Sequence, residues 1–304
     1  MKKESKIKIG TGKWIGYGPL YLAQNENLFK KNNVNVEIIQ FSHDDEIINN
    51  FRNSQLDIVA VTLDMLLILN ESGFPCKAIL LLDFSLGADM IIANKGINNF
   101  NDIKGKKIGL EKQYISEYFL ARALSENNLK PSDIEKIYIK PSDYLKVLKE
   151  KTVDAIVSYS PIAAPILQKG YKLIFSSKEI PSSIIDLLVT TDKIINKYPN
   201  DIIAIIKTWF DSLKFIDKYY NLAMNTMAKL EGLDEYDFKV AFDDIYLPNF
   251  DENLQFFNLE SQRNIFKISD ITQDFLIKKN VISSKINNLD IFEIKFLNKL
   301  KSKT

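Results

Sequence analysis

The stretch Ile7-Lys8-Ile9-Gly10, followed by Trp14-Ile15-Gly16-Tyr17-Gly18-Pro19-Leu20-Tyr21-Leu22-Ala23, decides how the chain is to be read. A short apolar strand enters a glycine-bearing loop. Pro19 then stands at the first position of a helix, where its missing N–H costs nothing. Outward from there, strands expected at 36–41 and 56–61 alternate with helical patterns at 44–52 and 63–70, the rhythm of βα units around a largely parallel sheet.

A further strand at 78–82 closes on Asp83-Phe84-Ser85-Leu86-Gly87, and 90–93 begins another. From residue 95 the rhythm restarts, with strands at 107–110, 137–139, 155–159 and 173–175 and helices near 116–127 and 144–150. One more strand, 187–190, precedes a tail that is almost wholly helical from Asp192. The expected fold class is therefore α/β with two lobes, 1–94 plus 184–304 and 95–183, and a helical C-terminal buttress. Crossings near 84–94 and 184–190 would make a hinge, with Gly87 at the first, and a small ligand is expected in a cleft between the lobes. No internal repeat, low-complexity segment or flexible linker interrupts the pattern.

Composition narrows the function. At 304 residues, 46% hydrophobic and 26% charged, the chain is long and apolar enough for two cores. Lys+Arg 40 against Asp+Glu 39 leaves a net charge of +1, so nothing steers it to nucleic acid or an anionic membrane. One cysteine, Cys76, and one histidine, His43, cannot supply a disulfide or a zinc cluster, so no metal and no cofactor are expected. The apolar run 58–69 is broken by Thr62 and Asp64 and falls short of the roughly 20 residues of a membrane helix. The opening Met1-Lys2-Lys3-Glu4-Ser5-Lys6 contains no secretion signal. The expected location is extracytoplasmic if a leader has been trimmed, and cytoplasmic otherwise.

Candidate site residues gather at the carboxyl ends of the expected strands, where ligands of open α/β sheets collect. Trp14 and Tyr17 could stack on a planar or cationic ligand or pack internally. Thr62 and Asp64 follow the third strand, where Thr62 is also a natural N-cap. Asp83, Ser85 and Asp89 flank the first crossing, Tyr159 ends a strand of the second lobe, and Asp186 precedes the returning strand. Carboxylates in a partly dry site are costly unless paired, so they mark either function or a brace. Glu111, Gln113, Tyr114 and Ser116 lead into a helix whose first amides could receive an anionic group. His43 is expected in a solvated turn beside Asp44 and Asp45, and Cys76 as a packing residue, so neither is expected to act in catalysis.

The segment Trp14 to Ala23 with Leu28-Phe29 resembles the opening of the nitrate, sulfonate and taurine substrate-binding proteins, a family that includes binders of thiamine-pyrimidine precursors. The similarity continues through Phe51-Arg52-Asn53-Ser54-Gln55-Leu56-Asp57, Thr62-Leu63-Asp64, Leu82-Asp83-Phe84-Ser85-Leu86-Gly87-Ala88-Asp89 and Asp102-Ile103-Lys104-Gly105-Lys106-Lys107-Ile108-Gly109. It resumes at Val153-Asp154-Ala155, Tyr159-Ser160-Pro161, Ile180-Pro181 and Phe296-Leu297. Gly18 stands where relatives of this subgroup often carry an acid, and Ser54 where a glycine is usual. The resemblance implies a type II periplasmic-binding fold, capture of a small solute and delivery to the permease of an ABC importer; a ligand-sensing input domain is the alternative. An enzyme on the same fold is the lesser alternative: resemblance to a thiamine-pyrimidine synthase would include a cysteine-rich segment, and this chain has Cys76 alone, whereas a quinone-precursor enzyme can have a sparser site. Only three arginines, Arg52, Arg122 and Arg263, are present, so a guanidinium clamp for an oxyanion is poorly supplied and the acids favour an amine or a nitrogen heterocycle.

Overall fold

A computed structural model describes residues 6–112 and 114–302. Its strands are β1 (Ile7–Thr11), β2 (Val36–Gln40), β3 (Ile58–Thr62), β4 (Lys77–Ser85), β5 (Asp89–Ala93), β6 (Lys107–Leu110), β7 (Glu135–Tyr138), β8 (Ala155–Tyr159), β9 (Lys172–Ser176), β10 (Ile185–Thr190) and β11 (Ile245–Tyr246). The chain divides into two compact units. The first comprises the described parts of Met1–Asp83, Ile185–Phe238 and Leu247–Thr304, and the second Phe84–Ile184 with Lys239–Tyr246. Residues 84–94 thus fall with the second unit, because β5 pairs with β8 and β9 there.

In the first unit the strands run in the order β4-β10-β3-β1-β2. β1 is parallel to β2 and β3, whereas β10 returns antiparallel to β3. The sheet is therefore mixed, and β3 and β10 are buried almost throughout, as continuous apolar runs covered on both faces must be. The helix Pro199–Lys218 packs on Gly18–Asn25 and on Lys295–Lys301, and its Trp209 is fully buried, as are Phe238 and Phe296 elsewhere in the helical tail. The helical tail thus belongs to the first unit's core.

The second unit orders its strands β7-β6-β8-β5-β9, with β6 parallel to β7 and β8, and β5 antiparallel to β8 and β9. Met90, Ile92, Tyr144, Leu148, Val153 and Ile156 form part of its core. β11, which the sequence pattern did not announce, pairs with the end of β4 through Ile245 with Ser85 and Tyr246 with Phe84. That pairing extends β4 beyond the expected 78–82. Gly87, at φ +132°, lies where an added Cβ would meet Asp244 Oδ1 at 2.6 Å and Lys178 Cε at 2.8 Å. Only glycine fits beneath that lysine–aspartate ion pair of 2.7 Å.

Backbone conformation distinguishes one departure from the family pattern, and side-chain packing the other. Ser54 takes φ +57° after the helix Asp44–Arg52, a left-handed position that glycine occupies without steric cost. At Gly18 an added Cβ would lie 2.9 Å from Met227 Sδ, so an acid there would require the Met227 side chain to move aside.

Candidate functional site

In the first unit the loop after β1 folds back over the ends of β4 and β10. Trp14 is extended and precedes a single tight turn, Ile15–Tyr17, that leads into the helix Gly18–Asn25. The Trp14 indole Nε1 donates to Asp83 Oδ1 at 3.0 Å. A Cβ at Gly16 would lie 2.1 Å from Asp83 Oδ2, so this glycine lets the loop close on the carboxylate. The buried Tyr17 hydroxyl donates to Asp186 Oδ1. Burial raises the Tyr17 phenol well above its ordinary value, and the charges of Asp186, Asp83 and Asp44 push it the same way. The phenol is therefore neutral and a donor.

Asp186 lies directly opposite Thr62 in the β10–β3 ladder. Thr62 immediately precedes the helix Leu63–Glu71 in the N-cap place, but its side chain makes no capping bond. Asp64 in that first turn is buried. Burial raises its carboxyl, opposed by the Thr62 hydroxyl and by the amides of Asp64 and Met65. Neither Thr62 Oγ1 nor Asp64 Oδ2 has a hydrogen bond of good geometry, which is costly for buried polar atoms.

In the second unit, Ser85 Oγ lies 2.7 Å from Ser177 Oγ and accepts from the Asp89 amide at 3.1 Å. Ser177 Oγ also accepts from the Gly87 amide at 2.6 Å. These bonds draw both hydroxyls into closing the turn 85–89. Asp89 is buried directly opposite Tyr159 in the β5–β8 ladder, and the Tyr159 hydroxyl reaches Glu111 Oε2 at 3.5 Å. Burial raises the Tyr144 phenol, and Glu111 adds to the rise. Tyr114 opens the helix Tyr114–Glu126, but its side chain and all of Gln113 lie outside the described residues. Ser116 is buried in the first turn of that helix.

Trp14, Tyr17, Asp83 and Asp186 therefore converge in one unit, and Asp89, Tyr159 and Glu111 in the other. Three contributors escaped sequence reasoning. Asp44 begins its helix and lies 3.4 Å from a Cβ built at Gly12, within reach of Tyr17; its row Asp44-Asp45-Glu46 reads as the ordinary acidic first turn of a helix. Ser177 hides beside the capping box Ser176 to Glu179, and Tyr144 reads as core. His43 is exposed at the N-cap of the helix Asp44–Arg52. Cys76 is buried, and burial pushes its thiol up to about 12, far from the range of a reactive thiolate. Among the described residues no group of His, Cys, Asp and Glu could hold a metal ion, and no helix is long and apolar enough to cross a membrane.

Two sheets of this order, each with a parallel core and one returning antiparallel strand, are the fold of the periplasmic-binding proteins. An alkanesulfonate-binding protein from Xanthomonas axonopodis bound to MOPS superposes with a TM-score of 0.80 at 14% identity, covering 97% of this chain and 100% of that one. The chain belongs to the NMT1-like family, whose model matches residues 1–230. Among curated proteins, a putative aliphatic sulfonates-binding protein of Bacillus subtilis is 22% identical over 305 residues, 98% of this chain and 89% of that one. The same fold also carries chemistry elsewhere: a mutant of the desulfurization enzyme DSZB in complex with biphenyl-2-sulfinic acid superposes with a TM-score of 0.76 at 12% identity over 99% of this chain and 100% of that one.

Proposed function

We propose that this chain captures a small solute for the permease of an ABC importer, and that the solute offers an amine or a nitrogen heterocycle to the acids of the first unit. The observation that carries the reading is the company of Tyr17: the charges acting on it come from Asp186, Asp83 and Asp44. Two unit charges about 4 Å apart near a protein surface interact by about 4 kcal/mol. An oxyanion placed among these carboxylates would be repelled on that scale, and a cationic nitrogen drawn in. Trp14, only partly buried, supplies aromatic surface beside them for a ring or a cation, while buried Tyr17 holds Asp186 in place. The three arginines are engaged elsewhere: Arg52 donates to Ser72, Arg122 to Tyr118 and Glu126, and Arg263 lies over the Phe256 ring.

The Bacillus subtilis relative supports solute capture by its name, and that name also supplies the rival ligand, an aliphatic sulfonate. Calorimetric titration of a panel of amines, aminopyrimidines, taurine, alkyl sulfonates and nitrate decides between them. The expected result is binding of a nitrogen compound that weakens about tenfold, or about 1.4 kcal/mol, in Asp83→Asn or Asp186→Asn while the fold is retained. Tight binding of nitrate or an alkyl sulfonate with no response to amines would overturn the ligand class. Failure of every solute to bind would count against capture itself.

A further inference from the structure

A second polar network lies at the carboxyl ends of β1 and β2, apart from Asp83 and Asp186. Gln40 Nε2, at the end of β2, donates to Tyr21 OH at 3.1 Å and to Glu231 Oε2 at 3.3 Å. Tyr21 OH lies 2.7 Å from Thr11 Oγ1 and donates to the Gly12 carbonyl at 3.2 Å. The phenolic proton goes to Gly12, and the same oxygen accepts from Gln40 and Thr11, which uses its full capacity. Glu231 is the last residue of the helix Tyr220–Glu231, and its Oε1 is buried with no hydrogen-bond partner. An ionised carboxylate with one oxygen orphaned is poorly served there, whereas a neutral acid needs fewer donors.

We propose that Glu231 is a positioning residue for Trp14: its gain or loss of a proton passes through Gln40 and Tyr21 to the carbonyl of Gly12, and so to the loop that carries the indole. Gly12 stands two residues before Trp14, so a shift of that carbonyl turns the backbone that aims the indole N–H at Asp83. The titratable groups that reach Glu231 are Tyr21, on the helix Gly18–Asn25, and Lys13, on the loop itself; Thr11 from β1 and Gln40 from β2 are neutral. Burial lifts the Glu231 carboxyl to about 7, against the pull of the Gln40 bond and the Lys13 charge. Above that pH the ionised carboxylate holds Gln40 through a charge-assisted bond and attracts exposed Lys13, the immediate neighbour of Trp14. Below it both pulls are released.

The inference rests on the reading of Trp14 as a ligand-facing residue, but its test needs no ligand, so the two can fail separately. The fluorescence of the full chain is followed from about pH 5.5 to about pH 8.5, a span in which ordinary carboxylates and phenols do not titrate but histidine does, so His43→Gln, expected to keep the transition, is followed beside it. Trp209, the other tryptophan, is fully buried, and Trp14→Phe assigns the signal. The expected result is one sigmoidal change centred at about 7, lost in Glu231→Gln and in Trp14→Phe. Tyr21→Phe, which keeps the carboxyl but removes the hydroxyl link, is expected to lose it as well. A flat profile in the unaltered protein, or the same transition retained in Glu231→Gln or in Tyr21→Phe, would overturn the proposal. Should Glu231→Gln not fold, Tyr21→Phe carries the test.

Discussion

The two units share a ground plan and differ in what it displays. Lys8-Ile9-Gly10 of β1 matches Lys107-Ile108-Gly109 of β6. Ile9 and Gly10 pair with Ile58 and Val59, as Ile108 and Gly109 pair with Ala155 and Ile156. Before each partner strand an aspartate does the same work: Asp57 Oδ2 accepts from the Lys8 amide at 2.9 Å, and Asp154 Oδ2 from the Lys107 amide at 2.9 Å. Counting forward from those aspartates, Thr62 and Tyr159 end the two strands. Opposite them stand Asp186 and Asp89, the equivalent residues of the two antiparallel returns. The difference lies around these acids. Asp186 receives the Tyr17 hydroxyl, whereas Asp89 follows a turn closed by Ser85 and Ser177. The repeated part is scaffold, and the two units differ in the loops built on it.

If the aspartates are equivalent braces, Asp57→Ala and Asp154→Ala should each cost about 1.5 to 3 kcal/mol, the worth of a hydrogen bond to a charged group. Urea unfolding would measure both, and a neutral result in one of them would break the equivalence. An effect of comparable size, but dependent on pH, separates the units. Glu231 holds its proton more tightly folded, at about 7, than at its ordinary 4.5. The stability this gives is present below the lower value and is lost as pH rises through the upper one. Glu231→Gln should therefore gain stability over the unaltered protein between about pH 5 and about pH 8, read as a difference in melting temperature; a difference that is constant with pH would contradict the assignment. The smallest effect is expected at Lys107, whose half-exposed ammonium lies 4.0 Å from Glu135. Lys107→Ala should change stability by less than about 1 kcal/mol, because the side chain contributes only a surface ion pair and the backbone amide that Asp154 holds is untouched.

Much of this architecture is legible in the residues themselves. Strands such as β6 and β8 fall at the expected 107–110 and 155–159, because short apolar runs bounded by polar and turn residues leave little choice. The motif shared by the two units was not legible, since three residues and one aspartate are too few to stand out as a repeat. β11 is two residues long and exists only through Phe84 and Ser85, so no local pattern could announce it. For the site, Asp83 and Asp186 could be found as single acids interrupting apolar strands, a placement that burial makes expensive. Asp44 could not, because an acid in the first turn of a helix already has an ordinary explanation. The bond between Ser85 and Ser177 was not legible, because the two lie far apart in sequence.

The burial of Cys76 has a practical use. With one cysteine in the chain, enclosed and held to about 12, thiol reagents at neutral pH have almost no thiolate to attack. A cysteine introduced on the surface, for instance at exposed Tyr236, would then take up a dye selectively without first removing the native one. That makes the protein a ready starting point for a fluorescent reporter of whatever solute it captures.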